Sequence, residues 1–244
     1  MNSICIATYN GEKYIAEQLQ SILTQIDKDD EVIISDDNST DRTIDIIHSF
    51  NDKRIVLLHA SFHNFNLNFE NALLHARGEY IFISDQDDIW LPEKYSNCIK
   101  ELQFCDLICT NATLIDEDKN TINASFFDYY KSGPGILKNT IKCTYCGACM
   151  AFNRSILHKA IPLPKNIYFG YDLWIGIVAE VAGTVHFIDT PYILYRRHAD
   201  TKTSISNQIL LRSKRPFHIK TLSRIQLLYH ASCLKIRQLT KHYL

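Results

Sequence analysis

Short apolar runs alternate with helically spaced apolar positions along the first third of the chain. The apolar runs, typical of buried strands, cover residues 3–8, 31–35, 54–58 and 79–84. Between them, apolar residues recur every three or four positions, which predicts a helix after each of the first three strands. The third helix is expected over residues 68–77, with Gly78 at its C′ position. Strands that alternate with helices predict right-handed βαβ units and a parallel sheet.

The pattern becomes less regular after Pro92. The remaining predicted segments are a helix at about 92–103, a strand at 106–112, a loop at 116–135, an apolar segment at 146–152, a helix at 171–182, a strand at 184–188 and an extended segment at 192–197. From about residue 202 the apolar positions, among them Ile225, Tyr229 and Ile236, indicate an amphipathic helix or a pair of helices. The predicted fold class is therefore α/β, with a Rossmann-like, mostly parallel sheet flanked by helices in residues 1–200 and a helical extension in residues 201–244.

Charge separates the extension from the body. Residues 1–195 carry 15 Lys and Arg against 26 Asp and Glu, whereas residues 196–244 carry 11 against the single Asp200. A basic segment of this kind could contact phosphates, anionic lipid or nucleic acid, or it could only neutralise the acidic body. We favour contact with a membrane surface and expect no nucleic acid, because the segment lacks a nucleic-acid-binding motif and has few aromatics suited to base stacking.

The composition argues for a cytoplasmic protein without membrane spans. No apolar run approaches the roughly 18 residues that a membrane helix needs, and Met1–Cys5 shows no basic region before an apolar stretch. The eight cysteines lack the paired spacing of a small disulfide framework. Cys143, Cys146 and Cys149 resemble a metal motif, but a fourth ligand at fitting spacing is missing, so we do not expect a zinc or iron–sulfur site there.

Polar residues follow three of the predicted strands at the points where they end. They are Thr8-Tyr9-Asn10, Asp36-Asp37 and Asp85-Gln86-Asp87-Asp88. The carboxyl ends of parallel strands share one edge, where open α/β sheets bind ligands. Carboxylates at this edge can hold Mg²⁺ or Mn²⁺ together with substrate phosphates, so we expect a metal–diphosphate site. The alternative is that the acidic tetrapeptide is a loop that only caps the helix near Pro92.

Seven motifs extend this picture over residues 3–200. They are ATYNG at 7–11, SDDNSTD at 35–41, RGEYI at 77–81, DQDDIWLP at 85–92, CGACMAFNR at 146–154, YDLW at 171–174 and YRRH at 195–198. In order and spacing they resemble the family 2 glycosyltransferases, which have a GT-A fold. The last three are most similar to bacterial rhamnosyltransferase-type enzymes of surface polysaccharide synthesis. The resemblance implies a nucleotide-sugar half at about residues 1–105 and an acceptor half at 106–200.

The resemblance also implies roles for individual residues. The expected nucleotide-sugar contacts are Thr8, Tyr9, Asn10, Glu12, Asp37, Asn68, Asp85, Gln86 and Arg196. Asp87 is expected to bind Mn²⁺ or Mg²⁺, with Asp88 a weaker candidate, and His198 could complete the site or be merely structural. Asp172 matches the general base of the family, although it could instead be the N-cap of its helix. The expected acceptor pocket comprises Gly147, Ala148, Cys149, Tyr171 and Trp174.

The expected function is inverting, metal-dependent transfer of one sugar from a dTDP- or UDP-sugar to a lipid-linked bacterial surface glycan. Processive relatives carry a Gln-x-x-Arg-Trp motif, whereas this chain has Tyr195-Arg196-Arg197-His198, which favours addition of a single sugar. One alternative, a sugar-phosphate nucleotidyltransferase, needs a Gly- and Arg-rich loop where this chain has Thr8–Glu12. The other is a non-catalytic nucleotide-sugar binder, and the presence of both Asp87 and Asp172 argues against it.

Overall fold

A computed structural model describes residues 1–198 and 216–241. Its strands are β1 Ser3–Thr8, β2 Glu31–Asp36, β3 Ile55–His59, β4 Tyr80–Asp85, β5 Ile89–Trp90, β6 Leu107–Ile115, β7 Thr121–Asn123, β8 Met150–Asn153 and β9 Val185–Arg196. The α-helices of the described residues are α1 Ile15–Leu23, α2 Thr43–Ser49, α3 Phe65–His75, α4 Lys94–Glu101, α5 Phe126–Tyr130, α6 Ile136–Ile141, α7 Arg154–Ala160, α8 Tyr171–Ala182 and α9 Phe217–Lys241. A single 3₁₀ turn, Gly147–Cys149, precedes β8.

All strands join one sheet with the order β3-β2-β1-β4-β8-β6-β9-β5, and β7 pairs with β6. The strands from β3 to β4 are parallel, as the alternating pattern predicts. Beyond β4 the sheet is mixed, because β8 is antiparallel to both β4 and β6, while β9 is parallel to β6. The chain leaves β1 toward β2 on one side and returns to β4 on the other. This reversal of strand order opens a crevice at the carboxyl ends of β1 and β4.

Helices cover both faces of the sheet, so the central strands are buried on two sides. Every residue of β1 and β2 is buried, which explains their unbroken apolar runs. One core cluster joins the sheet to α1, α2 and α4, with Leu19 and Ile34 at its centre. The other joins the opposite face to α3, α7, α8 and α9, with Phe69 and Ile175 fully buried.

The C-terminal segment forms one long helix within its described residues, not a pair. Leu227 and Ala231 of α9 are 1% and 7% exposed and pack against the body. The ring of His230 meets the edge of Trp174 in α8 at a centroid distance of 6.0 Å. The helix therefore docks on the body along one of its faces. Across residues 1–198 and 216–241, each helix is too short or too polar to pass through a bilayer.

Three local predictions differ from the structure. Gly78 is not a left-handed helix cap, because α3 ends at His75 and Ala76 is already extended. A glycine is needed here for another reason: a Cβ at Gly78 would lie 2.4 Å from the backbone of Asn2 and Ser3. The second difference is that the predicted loop at 116–135 contains β7 and α5.

The third difference is that the predicted strand at 184–188 and the predicted extended segment at 192–197 form a single strand, β9. Pro191 and the polar residues before it interrupt the apolar pattern, so the sequence predicted two segments instead of one strand. The register between β6 and β9 shifts on both sides of Asn111, opposite Pro191. Such irregularities accommodate a residue that cannot donate a ladder hydrogen bond.

Candidate active site

The acidic segment lies at the end of β4 and in the turn that leads to β5. Asp85, Asp87 and Asp88 each contribute one carboxylate oxygen to a group whose atoms all lie within 4.8 Å of one another. Asp85 Oδ1 and Asp88 Oδ2 are buried and accept no hydrogen bond from the residues that the structure describes. Buried carboxylate oxygens normally have partners, and hard oxygen ligands suit Mg²⁺ or Mn²⁺. The residues present therefore fit a divalent cation.

The acidic group is electrostatically unfavourable without a cation. Burial, together with the charges of Asp87 and Asp172, raises the pKa of Asp85 to about 7. Burial and the neighbouring Asp87 and Asp85 raise the pKa of Asp88 well above its usual range. A divalent ion would stabilise the ionised forms of these carboxylates and reverse both shifts.

Two buried basic residues, absent from the predicted set, partly compensate this charge. Lys94 has no exposed surface, donates a 2.8 Å hydrogen bond to Ala148 O and lies 4.7 Å from the Trp90 ring centroid. Burial lowers the pKa of Lys94. Arg197 donates to Tyr130 Oη at 2.9 Å, and its charge lowers the pKa of Asp85. The sequence signal for Lys94 was a basic residue on the apolar side of the helix next to the acidic motif.

His198 lies beside Asp87, as a role in the metal site requires. Its Nε2 is 2.8 Å from Asp87 Oδ2, and its ring centroid is 4.9 Å from that of Tyr14. The contact places an imidazole next to the carboxylate that we expect to bind the metal. Metal ligation by His198 stays a prediction.

Arg196 is fully enclosed and holds the acidic turn from within. Its backbone N–H donates to Asp88 Oδ1 at 2.9 Å, and its Nε donates to Asp87 O at 2.8 Å. The guanidinium also donates to Glu17 Oε2 at 2.8 Å and to Glu117 O at 3.1 Å. The side chain is 2% exposed. Through these hydrogen bonds Arg196 positions the acidic turn. A direct contact between Arg196 and a diphosphate stays a prediction.

The loop after β1 is tied to the acidic turn and to the loop after β2. Gln86 accepts from Tyr9 N at 2.9 Å and donates to Tyr9 O at 3.2 Å. Asn10 Oδ1 accepts from Thr40 N at 2.8 Å, and Glu12 Oε2 accepts from Arg42 N at 3.0 Å. The Tyr9 side chain itself is 53% exposed at the mouth of the crevice. These polar groups fix the loop backbone and leave the Tyr9 ring accessible to a base.

The opposite wall is built on Asp37 and Asn68. Asp37 accepts backbone N–H groups of the loop before α3, from His63 at 3.0 Å and from Asn64 at 3.1 Å. Asn68 Nδ2 donates to Thr8 O at 3.1 Å, and Asn68 Oδ1 is buried with no hydrogen-bond partner within residues 1–198 and 216–241. Thr8 Oγ1 donates in turn to an Asp36 carboxylate oxygen at 2.9 Å. All these side chains line or support the crevice, and their contacts with a nucleotide stay predictions.

Asp172 stands in the first turn of α8, where the helix dipole favours an anion. The N-cap of this helix is Gly170, so the alternative that Asp172 is the cap is wrong. Asp172 Oδ1 accepts from Leu173 N at 2.8 Å. A Cβ at Gly170 would lie 2.3 Å from this oxygen, so the glycine leaves room for the carboxylate. The negative charge of Asp172 raises the pKa of Asp85, so the two carboxylates interact electrostatically.

The residues expected to form the acceptor pocket are buried in the body of the fold. Ala148, Cys149 and Tyr171 are 0%, 1% and 2% exposed. A Cβ at Gly147 would lie 2.1 Å from Tyr171 Oη, so the two segments meet closely. Trp174 donates through Nε1 to Ala160 O at 2.9 Å, which directs its ring toward α7. These residues support the site by packing, and direct contact with an acceptor stays a prediction.

Comparison with known proteins agrees with this arrangement. Residues 3–160 match the family described as Glycosyl transferase family 2. The chain is 31% identical over 232 residues to "dTDP-rhamnosyl transferase RfbG" of Shigella flexneri, covering 86% of this chain and 77% of that protein. It is also 31% identical over 252 residues to "UDP-Glc:alpha-D-GlcNAc-diphosphoundecaprenol beta-1,3-glucosyltransferase WfaP" of Escherichia coli, covering 98% and 94% of the two chains.

A solved structure shows the same fold. The crystal structure of S. aureus TarS residues 1–349 with UDP-GlcNAc aligns with a TM-score of 0.67 at 19% identity, over 93% of this chain and 71% of that chain. The mixed sheet, its crevice and the acidic group thus define a GT-A glycosyltransferase fold. The chain belongs to glycosyltransferase family 2, which confirms the resemblance seen in its motifs.

Proposed function

We propose that the protein is an inverting, metal-dependent glycosyltransferase that adds one sugar from a dTDP- or UDP-sugar to a lipid-linked bacterial surface glycan. The observation that carries the proposal is the convergence of Asp85, Asp87 and Asp88 at the crevice, together with the negative charge of Asp172, which raises the pKa of Asp85. The first three residues provide a cation site for a diphosphate, and the fourth provides a base.

Catalysis by these residues needs only proton transfer and charge stabilisation. Asp172 accepts the proton of the acceptor hydroxyl as that oxygen attacks the anomeric carbon. Attack from the side opposite the diphosphate inverts the configuration at this carbon. A divalent ion held by Asp87 and its neighbours would neutralise the negative charge that develops on the leaving diphosphate. Arg196 and Lys94 keep the acidic turn and the 3₁₀ turn in place.

The donor and acceptor are inferred from similarity and from the shape of the site. The names of the relatives include a dTDP-rhamnosyl transferase and a glucosyltransferase whose acceptor is a diphosphoundecaprenol-linked sugar. The exposed Tyr9 ring beside the β1 loop offers a surface on which a pyrimidine base can stack. A lipid-linked acceptor would bring the enzyme to the cytoplasmic face of a membrane, where the basic C-terminal segment could contact the surface.

The two alternative functions are less well supported. A nucleotidyltransferase would need a Gly- and Arg-rich loop after β1, whereas the loop here is closed by Asn10 and Glu12. A binder without turnover would not need a base, whereas Asp172 is retained with Gly170 leaving space for it.

Binding and turnover can be separated by two variants. Purified protein with Mn²⁺ or Mg²⁺ would be titrated with UDP-, dTDP- and GDP-sugars, and donor hydrolysis would be followed in parallel. We expect one nucleotide class to bind only with metal, Asp87→Ala to abolish this binding, and Asp172→Asn to bind without turnover. Asp29→Asn, an exposed carboxylate in the turn before β2, is the matched control. Nucleotide-sugar binding that depends neither on the metal nor on Asp87 would refute the assigned site.

A further inference from the structure

Helix α9 has a second apolar stripe on the side away from the body. Its docked face contains Leu227 and Ala231. With about 100° per residue, Ile225, Tyr229 and Ile236 fall on the opposite side of the helix. They are 60%, 64% and 61% exposed. We call these three residues the outer stripe.

Basic residues border the outer stripe, and acidic residues do not. Arg224, Lys235 and Arg237 lie on the flanks between the docked face and the outer stripe, and residues 201–244 contain no Asp or Glu. A stripe of aliphatic and aromatic side chains between rows of Lys and Arg is the pattern of a helix that lies in a lipid interface.

Helix α6 extends this surface. Arg224 of α9 donates to Ile141 O at 2.8 Å, so the end of α6 lies against α9. Leu137 and Ile141, one turn apart on α6, are 73% and 68% exposed. Lys138 and Lys142 on the same short segment are also exposed. Two helices thus present apolar and basic side chains side by side.

We propose that the outer stripe and the exposed side of α6 form an interfacial surface that docks on a bilayer containing anionic lipid. Charge complementarity favours an anionic bilayer as the partner of this surface, because the apolar side chains enter the headgroup region while the flanking basic groups contact lipid phosphates. A second copy of the chain is disfavoured, since its identical stripe would bring basic flanks together without acidic partners. This inference rests on the proposed function, which includes contact with a membrane, and it assigns that contact to named residues. One face of α9 packs on the body, and the opposite face contacts the membrane.

Vesicle binding tests the surface independently of glycosyl transfer. The 244-residue protein would be sedimented with vesicles of phosphatidylglycerol and phosphatidylcholine in equal parts, and with phosphatidylcholine alone. The test variant combines Ile225→Ser, Tyr229→Ser and Ile236→Ser. These side chains are exposed, so the docked face stays intact. Phe104→Ser is the matched control, because Phe104 is 80% exposed on the turn between α4 and β6.

We expect the wild type and Phe104→Ser to bind anionic vesicles, and the triple variant to bind at least about tenfold more weakly. Raising NaCl from about 0.1 M to about 1 M shortens the Debye length from about 10 Å to about 3 Å and should release most of the protein. Donor binding by the triple variant should match the wild type. Equal binding by the triple variant, or equal binding to neutral vesicles, would overturn the proposal. A wild-type dimer that the triple variant dissociates would also overturn it, in favour of a second copy.

Discussion

Replacing Asp85 with Asn should stabilise the metal-free protein while removing one carboxylate of the candidate cation site. Asp85 stands at the end of β4, and one of its carboxylate oxygens is buried with no hydrogen-bond partner in the described part of the chain. Its ionised form is disfavoured by burial and by the negative charges of Asp87 and Asp172. Asn has nearly the same shape, carries no charge and can donate to the neighbouring carboxylates. The fold without metal therefore gains from a change that the active site cannot tolerate.

The magnitude follows from the pKa of Asp85, which rises from 3.8 to about 7 on folding. Between these two values the folded protein binds more protons than the unfolded chain, so stability falls as the pH rises through this window. One pKa unit corresponds to about 1.4 kcal/mol, so the full cost above the folded pKa is about 4 kcal/mol. Because an amide is also poorly solvated there, we expect Asp85→Asn to gain about 2–4 kcal/mol at pH 8 and little at pH 4.

Urea unfolding in EDTA at a series of pH values measures this difference directly. The gain of Asp85→Asn over the wild type should grow from about pH 4 to about pH 8, with the same m-value. Adding Mn²⁺ should stabilise the wild type much more than the variant, because only the wild type retains the full carboxylate set. Asp29→Asn, on the surface, should show neither effect. If Asp85→Asn is no more stable at pH 8, or if its gain does not depend on pH, the electrostatic reasoning is wrong.

Three further substitutions test the packing around the site. Glu17→Ala removes the carboxylate partner of the buried Arg196 guanidinium, so the free energy of unfolding in urea should fall by about 1–2 kcal/mol. Titration with Mn²⁺ should also show that the variant binds the ion more weakly. Gly147→Ala places a Cβ 2.1 Å from Tyr171 Oη and should cost about 2–3 kcal/mol in the same assay. Adding Tyr171→Phe should recover part of that loss, and no recovery would contradict the contact. Gly78→Ala meets backbone at 2.4 Å and should cost about 3 kcal/mol, visible as a lower thermal midpoint; an unchanged midpoint would contradict the close approach.

Local patterns were sufficient for the first half of the fold and for the place of the site. Strands buried on both faces must be continuously apolar, so β1, β2 and β4 are recognisable from composition alone. Parallel strands bring their carboxyl ends to one edge. For this reason the polar residues after β1, β2 and β4 could be assigned to one crevice, and Asp85, Asp87 and Asp88 do converge there.

Roles that depend on contacts between distant parts of the chain were beyond the sequence. The motif resemblance predicts that Arg196 contacts the nucleotide-sugar, and the structure adds that it lies buried against Asp88, which precedes it by 108 residues. Lys94 was absent from the predicted site, yet it is buried and donates to Ala148 O in the 3₁₀ turn.

The sequence by itself determined the family, the sheet edge that carries the site and the carboxylates that form it. These features follow from periodicity and from short motifs, which are local. Only the tertiary structure decided which polar side chains face the crevice and which hold the backbone, and which side of α9 meets the body. Those assignments depend on which neighbours satisfy each buried polar group, and these neighbours are brought together only when the chain folds.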